Sequence, residues 1–497
     1  MRGLVLDEGL VFGRGHGAPE GGAGYVSPAE EDAAGAIPAE LLRTDIEGFP
    51  DLSELAVLRH FTRLSTWNYG IEHGAYMLGS CTMKYNPKIN EDAALLPGFA
   101  GAHPLLPEEF CQGSLEVMAS LEEWLGEITG MDAVTLQPAA GSHGELTGIM
   151  LIRAYHLDRG ERRPIVLVPN SAHGTNPASA AIANCEVREI VVGPTGVLTK
   201  DRVVEAAEKC GPENVAALML TNPSTLGLFE EHIAEIAEYL HGIGALVYCD
   251  GANLNALLGL ARPGDMGFDV IQMNLHKTFS TPHGGGGPGS GPVAVRKILE
   301  PFLPFPTLER RKSGIALVHD RPKSIGRMRA FAGHFGMFVR AYAYIRRMGC
   351  EDLRRAALYS LLNANYMRAK LRGHYHIPYD RPCMHEVIVN DKLLGKEGKH
   401  TADIAKRLID YGFHPPTVYF PLVVPGALMI EPTETESVAE MDAFVEAMVA
   451  IAKEVRETPD VVHDAPHSTR LRRLDETRAA RKPILRWTPP EVPAAAE

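Results

Sequence analysis

The sequence predicts an α/β protein built on a mostly parallel sheet between helices, followed by a smaller α+β segment. Two observations carry this. Between about 115 and 300, amphipathic stretches alternate with short apolar runs: PIVLVP (164–169), VREIVV (187–192), VAALMLT (215–221), ALVYCD (245–250) and DVIQMN (269–274). That is the rhythm of β-α-β units. The runs are also near-continuous in Val, Ile and Leu, as strands buried on both faces require. Sites in such sheets lie at the carboxyl ends of the strands, and those ends carry His173, Asn222, Asp250 and Lys277.

Before the first run, QPAAGSHGELTGIMLIRAY (137–155) places small residues at the start of a helix whose apolar positions 146, 149, 150 and 157 keep helical spacing. The text from 326 to 372 is helix-like and leads into a second pattern. CMHEVIVN (383–390) reads as a strand, TADIAKRLIDYG (401–412) as a helix ending at Gly412, ALMIEPT (427–433) as a strand, and 437–455 as a helix opened by the capping box Ser437 to Glu440. The expected organisation is an N-terminal arm (1–60), a large cofactor-binding domain (61–330), a small α+β domain (331–457) and a C-terminal tail (458–497). Both ends read as arms, either disordered or wrapped on a partner.

Composition narrows the function classes. With 49 Lys plus Arg against 62 Asp plus Glu the formal charge is −13, which disfavours nucleic acid or an anionic membrane as partner. The longest apolar runs fall far short of the roughly 20 residues that span a bilayer, and acidic residues interrupt the N-terminus where a signal peptide needs an apolar stretch. A cytoplasmic location is expected. Seven dispersed cysteines without a CxxC pair suggest neither a disulfide framework nor a metal site.

Lys277 follows the apolar run DVIQM in NLHKTFSTPHGGGGPGSGP, and Asp250 ends ALVYCD, about one strand-helix-strand unit upstream. A lone lysine is by default a solvated one, and an aspartate at a strand end can be a helix N-cap. Together they suit pyridoxal phosphate, which needs a lysine and a carboxylate partner for its ring nitrogen. The helix start at Ala139 to Ser142 offers free N–H groups to a phosphate. His173, in PNSAHGTNPAS, could stack on a ring or move protons, or be satisfied within its loop. The Gly-rich run 284–291 lacks the GK[ST] ending of a P-loop, so close backbone approach to a cofactor or partner is its expected use.

Five stretches, LGSCTMKYNPKINE (78–91), SAHGTNPASAA (171–181), TNPSTLGLFE (221–230), DGANLNALLGLARPGDMGFDV (250–270) and NLHKTFSTPHGGGGPGSGP (274–292), closely resemble the P-protein of the glycine cleavage system. The length and starting point are similar to subunit 2 of its two-subunit form. The resemblance implies a fold-type-I pyridoxal 5'-phosphate enzyme that decarboxylates glycine and passes the aminomethyl group to the lipoyl arm of H-protein. It also implies assembly with P-protein subunit 1 as an α2β2 heterotetramer. By motif, Lys277 is the Schiff-base lysine, Asp250 the partner of the pyridinium, and His173 the residue stacked on the ring. Ala140, Gly141 and Ser142 are the phosphate cradle, with Asn222 and His276 as further cofactor-binding residues. The chain departs from the family words at Met77 (YPLGS is usual), Gln272 (His is usual) and His334 (Asn is usual), where local packing or rim contacts are expected to change while the lysine and aspartate motifs stay untouched. The alternatives are another fold-type-I amino-acid decarboxylase and a cofactor-free structural subunit.

Overall fold

The computed structural model describes residues 8–13, 37–41, 43, 50, 52–103, 105–283, 289–395 and 400–486. The chain divides into two compact units, one of residues 1–73 with 474–497 and one of Gly74–Arg473.

In the first unit, helix α1 (Glu54–Ser65) is capped by Ser53, whose hydroxyl accepts from the N–H of Ala56 at 3.3 Å. The buried carboxylate of Glu8 lies 2.8 Å from Nδ1 of His60 and 3.2 Å from Arg63. Most of the expected N-terminal arm, 14–36 included, and residues 487–497 of the tail lie outside the described residues.

The second unit is organised by a seven-stranded sheet: β1 (Ala133–Thr135), β2 (Ile165–Pro169), β3 (Glu186–Ile190), β4 (Val215–Thr221), β5 (Leu246–Gly251), β6 (Val270–Met273) and β7 (Val293–Val295). The order is β1-β7-β6-β5-β4-β2-β3, with β7 antiparallel to its neighbours and the remaining pairs parallel. Strands β2, β4, β5 and β6 are buried throughout, as their mainly apolar sequences require, whereas β3 exposes Glu186, Arg188 and Glu189. The reason is position: β3 is an edge strand.

Helices α2 (Gln112–Thr129), α5 (Ile233–Gly242) and the first part of α7 (Phe335–Leu371) cover one face of the sheet, and α3 (Gly141–Asp158) and α4 (Thr175–Ile182) cover the other. Helix α3 differs from its sequence reading. Leu157 is 53% exposed, and Gly144 and Gly148 face the sheet. A Cβ on Gly148 would lie 2.2 Å from the ring of Tyr248, so glycine lets the helix backbone approach the strands. The long helix α7 breaks at Gly349 (φ 63°, ψ −178°).

Beyond it, a three-stranded sheet β10-β12-β11 (Val387–Asn390, Ala427–Ile430, Thr417–Val418) packs with α8 (Thr401–Asp410) and α9 (Val438–Glu457). A hairpin of β8 (Thr307–Arg311) and β9 (Gly314–Val318) precedes α7. Ser437 caps α9 by accepting from the N–H of Glu440 at 3.2 Å, and Gly412 adopts φ 86° after α8. Among the described residues no helix is long and apolar enough to cross a membrane.

Candidate active site

Strand parity decides which side chains meet. Leu218, Leu220, Val247 and Cys249 enter one core layer, and Ala217, Met219, Leu246 and Tyr248 enter the layer under α3. Thr221 and Asp250 continue the second set. Register then pairs Thr221 with Asp250 and Asp250 with Gln272 across β4, β5 and β6.

The buried Asp250 carboxylate receives four donors. Asn176 Nδ2 (3.0 Å) and the Thr221 hydroxyl (3.4 Å) reach Oδ2, while the N–H of Ala252 (3.0 Å) and Gln272 Nε2 reach Oδ1. Asp250 caps no helix, and among the described residues it has no ion-pair partner. Behind it, Glu145 accepts from Thr175, Asn176 and Ser179, with Asn176 Nδ2 bridging the two carboxyls. Burial, then the Asp250 charge, pushes the Glu145 carboxyl up.

Lys277 lies in the one-turn helix α6 (Leu275–Thr278), just past the end of β6. Its Nζ donates to the carbonyl of Ser80 at 2.6 Å. His276 accepts from the N–H of Ser290 at Nδ1 (3.3 Å) and meets Asn274 Nδ2 at Nε2 (3.2 Å), so both ring nitrogens are engaged by protein. Burial, then His283 and Lys277, lowers its pKa to about 3. His173 sits in the loop after β2, its Nδ1 2.7 Å from the Thr175 hydroxyl and its ring edge-on to Phe420 at 5.6 Å. Its pKa is lowered chiefly by burial, then raised by Asp250 and lowered by Lys277, so both charges reach this ring.

The segment Ala140 to Ser142 opens α3, with Ala140 at the N-cap, Gly141 buried and Ser142 exposed. The first N–H groups of a helix have no intrahelical acceptor, and here no side chain caps them. The turn is closed from below: a Cβ on Gly141 would lie 2.5 Å from Asn274, and one on Gly291 2.0 Å from the carbonyl of Ala140. Close backbone approach is thus the use of Gly291, while 284–288 lie outside the described residues. Asn222, after β4, accepts the N–H of Glu230 at 3.1 Å and leaves Nδ2 buried without a partner.

The family model for the glycine cleavage system P-protein matches residues 29–305, and that for the glycine dehydrogenase C-terminal domain matches 356–471. A probable glycine dehydrogenase (decarboxylating) subunit 2 of Caldanaerobacter subterraneus subsp. tengcongensis is 55% identical, covering 94% of this chain and 97% of its own. One from Exiguobacterium sibiricum is 57% identical over 91% and 92%. The chain belongs to the glycine dehydrogenase (decarboxylating) subunit 2 family.

Solved structures share its fold. An inhibitor-bound glycine decarboxylase (P-protein) superposes with a TM-score of 0.70 at 21% identity, covering 86% of this chain and 95% of that one. Oryza sativa TDC with PLP and tryptamine gives 0.64 at 14% identity over 87% and 93%. The expected fold-type-I architecture is therefore present.

Of the departures from the family words, Met77 is fully buried in the core of the smaller sheet, and His334 sits at the start of α7. Gln272 corrects the expectation that the aspartate motif stays untouched: it is buried and donates to Asp250. The sequence reading also missed Glu145 and His283, whose pKa falls to about 4 through burial and then Lys277. It missed a third group, His385, Glu386 and Glu431, which converge to within 4.8 Å and are all buried. The signal for Glu145 was its place one turn into α3; nothing local marks the others.

Proposed function

We propose that this chain is the cofactor-bearing subunit of a glycine-cleaving enzyme: it decarboxylates glycine and delivers the aminomethyl group to a lipoylated H-protein, working with a subunit 1. Family membership carries the reaction. The buried Asp250 carboxylate, held by four donors and lacking a cation, carries the site, since an unpaired buried charge calls for a positive partner. A pyridinium N–H would be that partner. The residues fit pyridoxal phosphate in a second way. Among the described residues, Asn274 Oδ1, Thr278 Oγ1, Ser290 Oγ and His283 Nε2, on the segments that flank Lys277, and Asn222 Nδ2, after β4, are buried without hydrogen-bond partners, the polar surplus that a polar ligand would satisfy.

Bound, the cofactor supplies a sink for the electron pair left on the α-carbon when CO2 departs. In this reading Lys277 holds the cofactor covalently and, once released, can move a proton at Nζ. Asp250 keeps the ring nitrogen protonated. His173, whose protonated form burial disfavours, would lie against the ring, and the N–H groups of Gly141 and Ser142 would receive the phosphate. Glycine offers little remote binding energy, so the site depends on fixed charges and exclusion of water. In the overall transfer the aminomethyl carbon bonds to one lipoyl sulfur, the S–S bond breaks and the other sulfur takes a proton. Carbon is oxidised and sulfur reduced without a nicotinamide.

A partner subunit is further supported by Leu55, Leu58 and Phe61, which are exposed on α1, because apolar clusters of this kind mark interaction surfaces. Exchange of labelled bicarbonate into glycine should require the lipoyl H-protein. Equal exchange without it would favour a carrier-independent decarboxylase.

A further inference from the structure

Ser80 (φ 64°) and Thr82 (φ 47°) lie in the left-handed region on either side of Cys81, conformations that persist in non-glycine residues only where the surroundings hold them. Two carboxyls do the holding. Glu431 receives the N–H groups of Cys81 (3.1 Å) and Thr82 (2.9 Å) on Oε2 and the Thr82 hydroxyl (2.6 Å) on Oε1. Among the described residues Glu386 receives one donor, the N–H of Ser80 on Oε1, and its Oε2 is buried without a hydrogen-bond donor. The carbonyl of Ser80 is what the loop presents to the site, and it accepts from Lys277 Nζ. His385 Nε2 lies 3.9 Å from each carboxyl, and among the described residues neither of its ring nitrogens has a hydrogen-bond partner.

We propose that Glu386 and Glu431 form a one-proton carboxyl pair, with the charge on Glu431 and the proton on Glu386, that fixes the Ser80–Thr82 loop and so positions the acceptor for Lys277. The proposal rests on Lys277 being the cofactor lysine. Three donors stabilise the ionised form of Glu431, and two carboxyls in one buried site do not both ionise. The proton therefore belongs on the acid with one donor and a bare oxygen. Burial and then the Glu431 charge raise the Glu386 pKa well above the carboxylate range. Burial holds His385 neutral, so it does not compensate the charge. Both acids are positioning residues acting through the loop.

The pair predicts an asymmetry. Glu386→Gln reproduces a protonated acid, with an oxygen for Ser80 and a donor beside Glu431, and should leave the loop intact. Glu431→Gln removes the charge that the two N–H groups and the Thr82 hydroxyl surround, leaving a neutral amide oxygen for the N–H groups and an amide N–H against the hydroxyl, and Thr82→Val removes one donor without altering charge. The measurements on the full chain are amide hydrogen exchange of the 78–84 segment and titration of the cofactor-free protein with pyridoxal phosphate. Expected are faster exchange and roughly tenfold weaker cofactor binding in Glu431→Gln, a smaller change of the same sign in Thr82→Val, and wild-type behaviour in Glu386→Gln. Equal damage from the two glutamine variants would overturn the proton assignment, as would an inactive Glu386→Gln with an unchanged loop, which would make Glu386 a proton donor. If Glu431→Gln fails to fold, Thr82→Val decides alone, and an unchanged loop and affinity there reject the proposal. Should the pyridoxyl label map to another lysine, the underlying reading fails, while the exchange data still judge the carboxyl pair.

Discussion

Gln272 Nε2 donates to Oδ1 of Asp250, because β6 sets the two residues opposite each other on the face covered by α3. A buried charge-assisted hydrogen bond contributes about 1.5–3 kcal/mol. Gln272→Leu should therefore slow glycine decarboxylation by roughly 10–100-fold, and Gln272→His, which keeps a donor, should recover most of it. Steady-state kcat/KM of the three proteins tests this. A leucine variant within a few-fold of wild type would mean that Asn176, Thr221 and Ala252 orient the carboxylate unaided.

Replacing Asp250 itself should cost more. Three of its four donors are N–H groups and the fourth is the Thr221 hydroxyl, so Asp250→Asn loses at least one N–H contact, and the partner of the ring nitrogen loses its charge. Breaking a buried ion pair costs about 3–5 kcal/mol, which corresponds to roughly 10²–10⁴ in rate. Single-turnover decarboxylation with H-protein at saturating pyridoxal phosphate is the measurement, and near-normal turnover would rule out the assigned role.

Lys277 can be tested directly. Borohydride reduction of the cofactor-loaded protein followed by peptide mapping should leave the pyridoxyl label on the 274–283 stretch at Lys277, and a label elsewhere would displace it from the site.

What was readable in the sequence was local. The apolar runs became strands within one or two residues, since unbroken Val, Ile and Leu need burial on both faces. Lys277 and Asp250 stood out because a strand end places a side chain at the sheet edge whatever the neighbouring strands do. Other features depend on pairings that text does not carry. The α3 surface was misjudged because Gly144 and Gly148, which look like helix-weakening residues, are its contacts with the sheet. The contact of Gln272 with Asp250 stayed hidden because the β5–β6 register is not written in either segment. Glu386 meets Ser80 across 306 positions, and no periodicity foretells such a contact.

Lys84 binds together distant parts of the second unit. Its buried Nζ, with three N–H groups to donate, lies within hydrogen-bond distance of Asn255 Oδ1 (2.9 Å), the carbonyl of Thr278 (2.8 Å), the Tyr344 hydroxyl (3.2 Å) and Glu434 Oε1 (2.8 Å). Thr278 adjoins Lys277, so the network also steadies the site. Lys84→Met should destabilise the chain by about 3–5 kcal/mol by stranding Glu434. Lys84→Met combined with Glu434→Leu should be less damaging than the single change. Denaturant midpoints of the three proteins measure it, and additive losses would show that the two groups are not coupled.

Glu230 gives the fold a pH dependence whose sign can be worked out. The residue is buried, its Oε2 accepts the N–H of Leu198 at 2.7 Å, and its own N–H goes to Asn222. Burial above all pushes its pKa to about 8 from 4.5, against the opposing effect of the Leu198 N–H. Between those two values the folded chain holds a proton that the unfolded chain has released. Stability therefore falls as pH rises through this window, and Glu230 adds no slope below or above it. Glu230→Gln keeps an acceptor for Leu198 and cannot ionise. At about pH 4.5 the variant and the wild type should be nearly equal in stability. By about pH 8.5 the variant should be more stable by a few kcal/mol, at about 1.36 kcal/mol per pH unit. Melting or denaturant curves of both proteins across this range provide the comparison. A difference that stays constant with pH would show that Glu230 does not titrate in the folded chain.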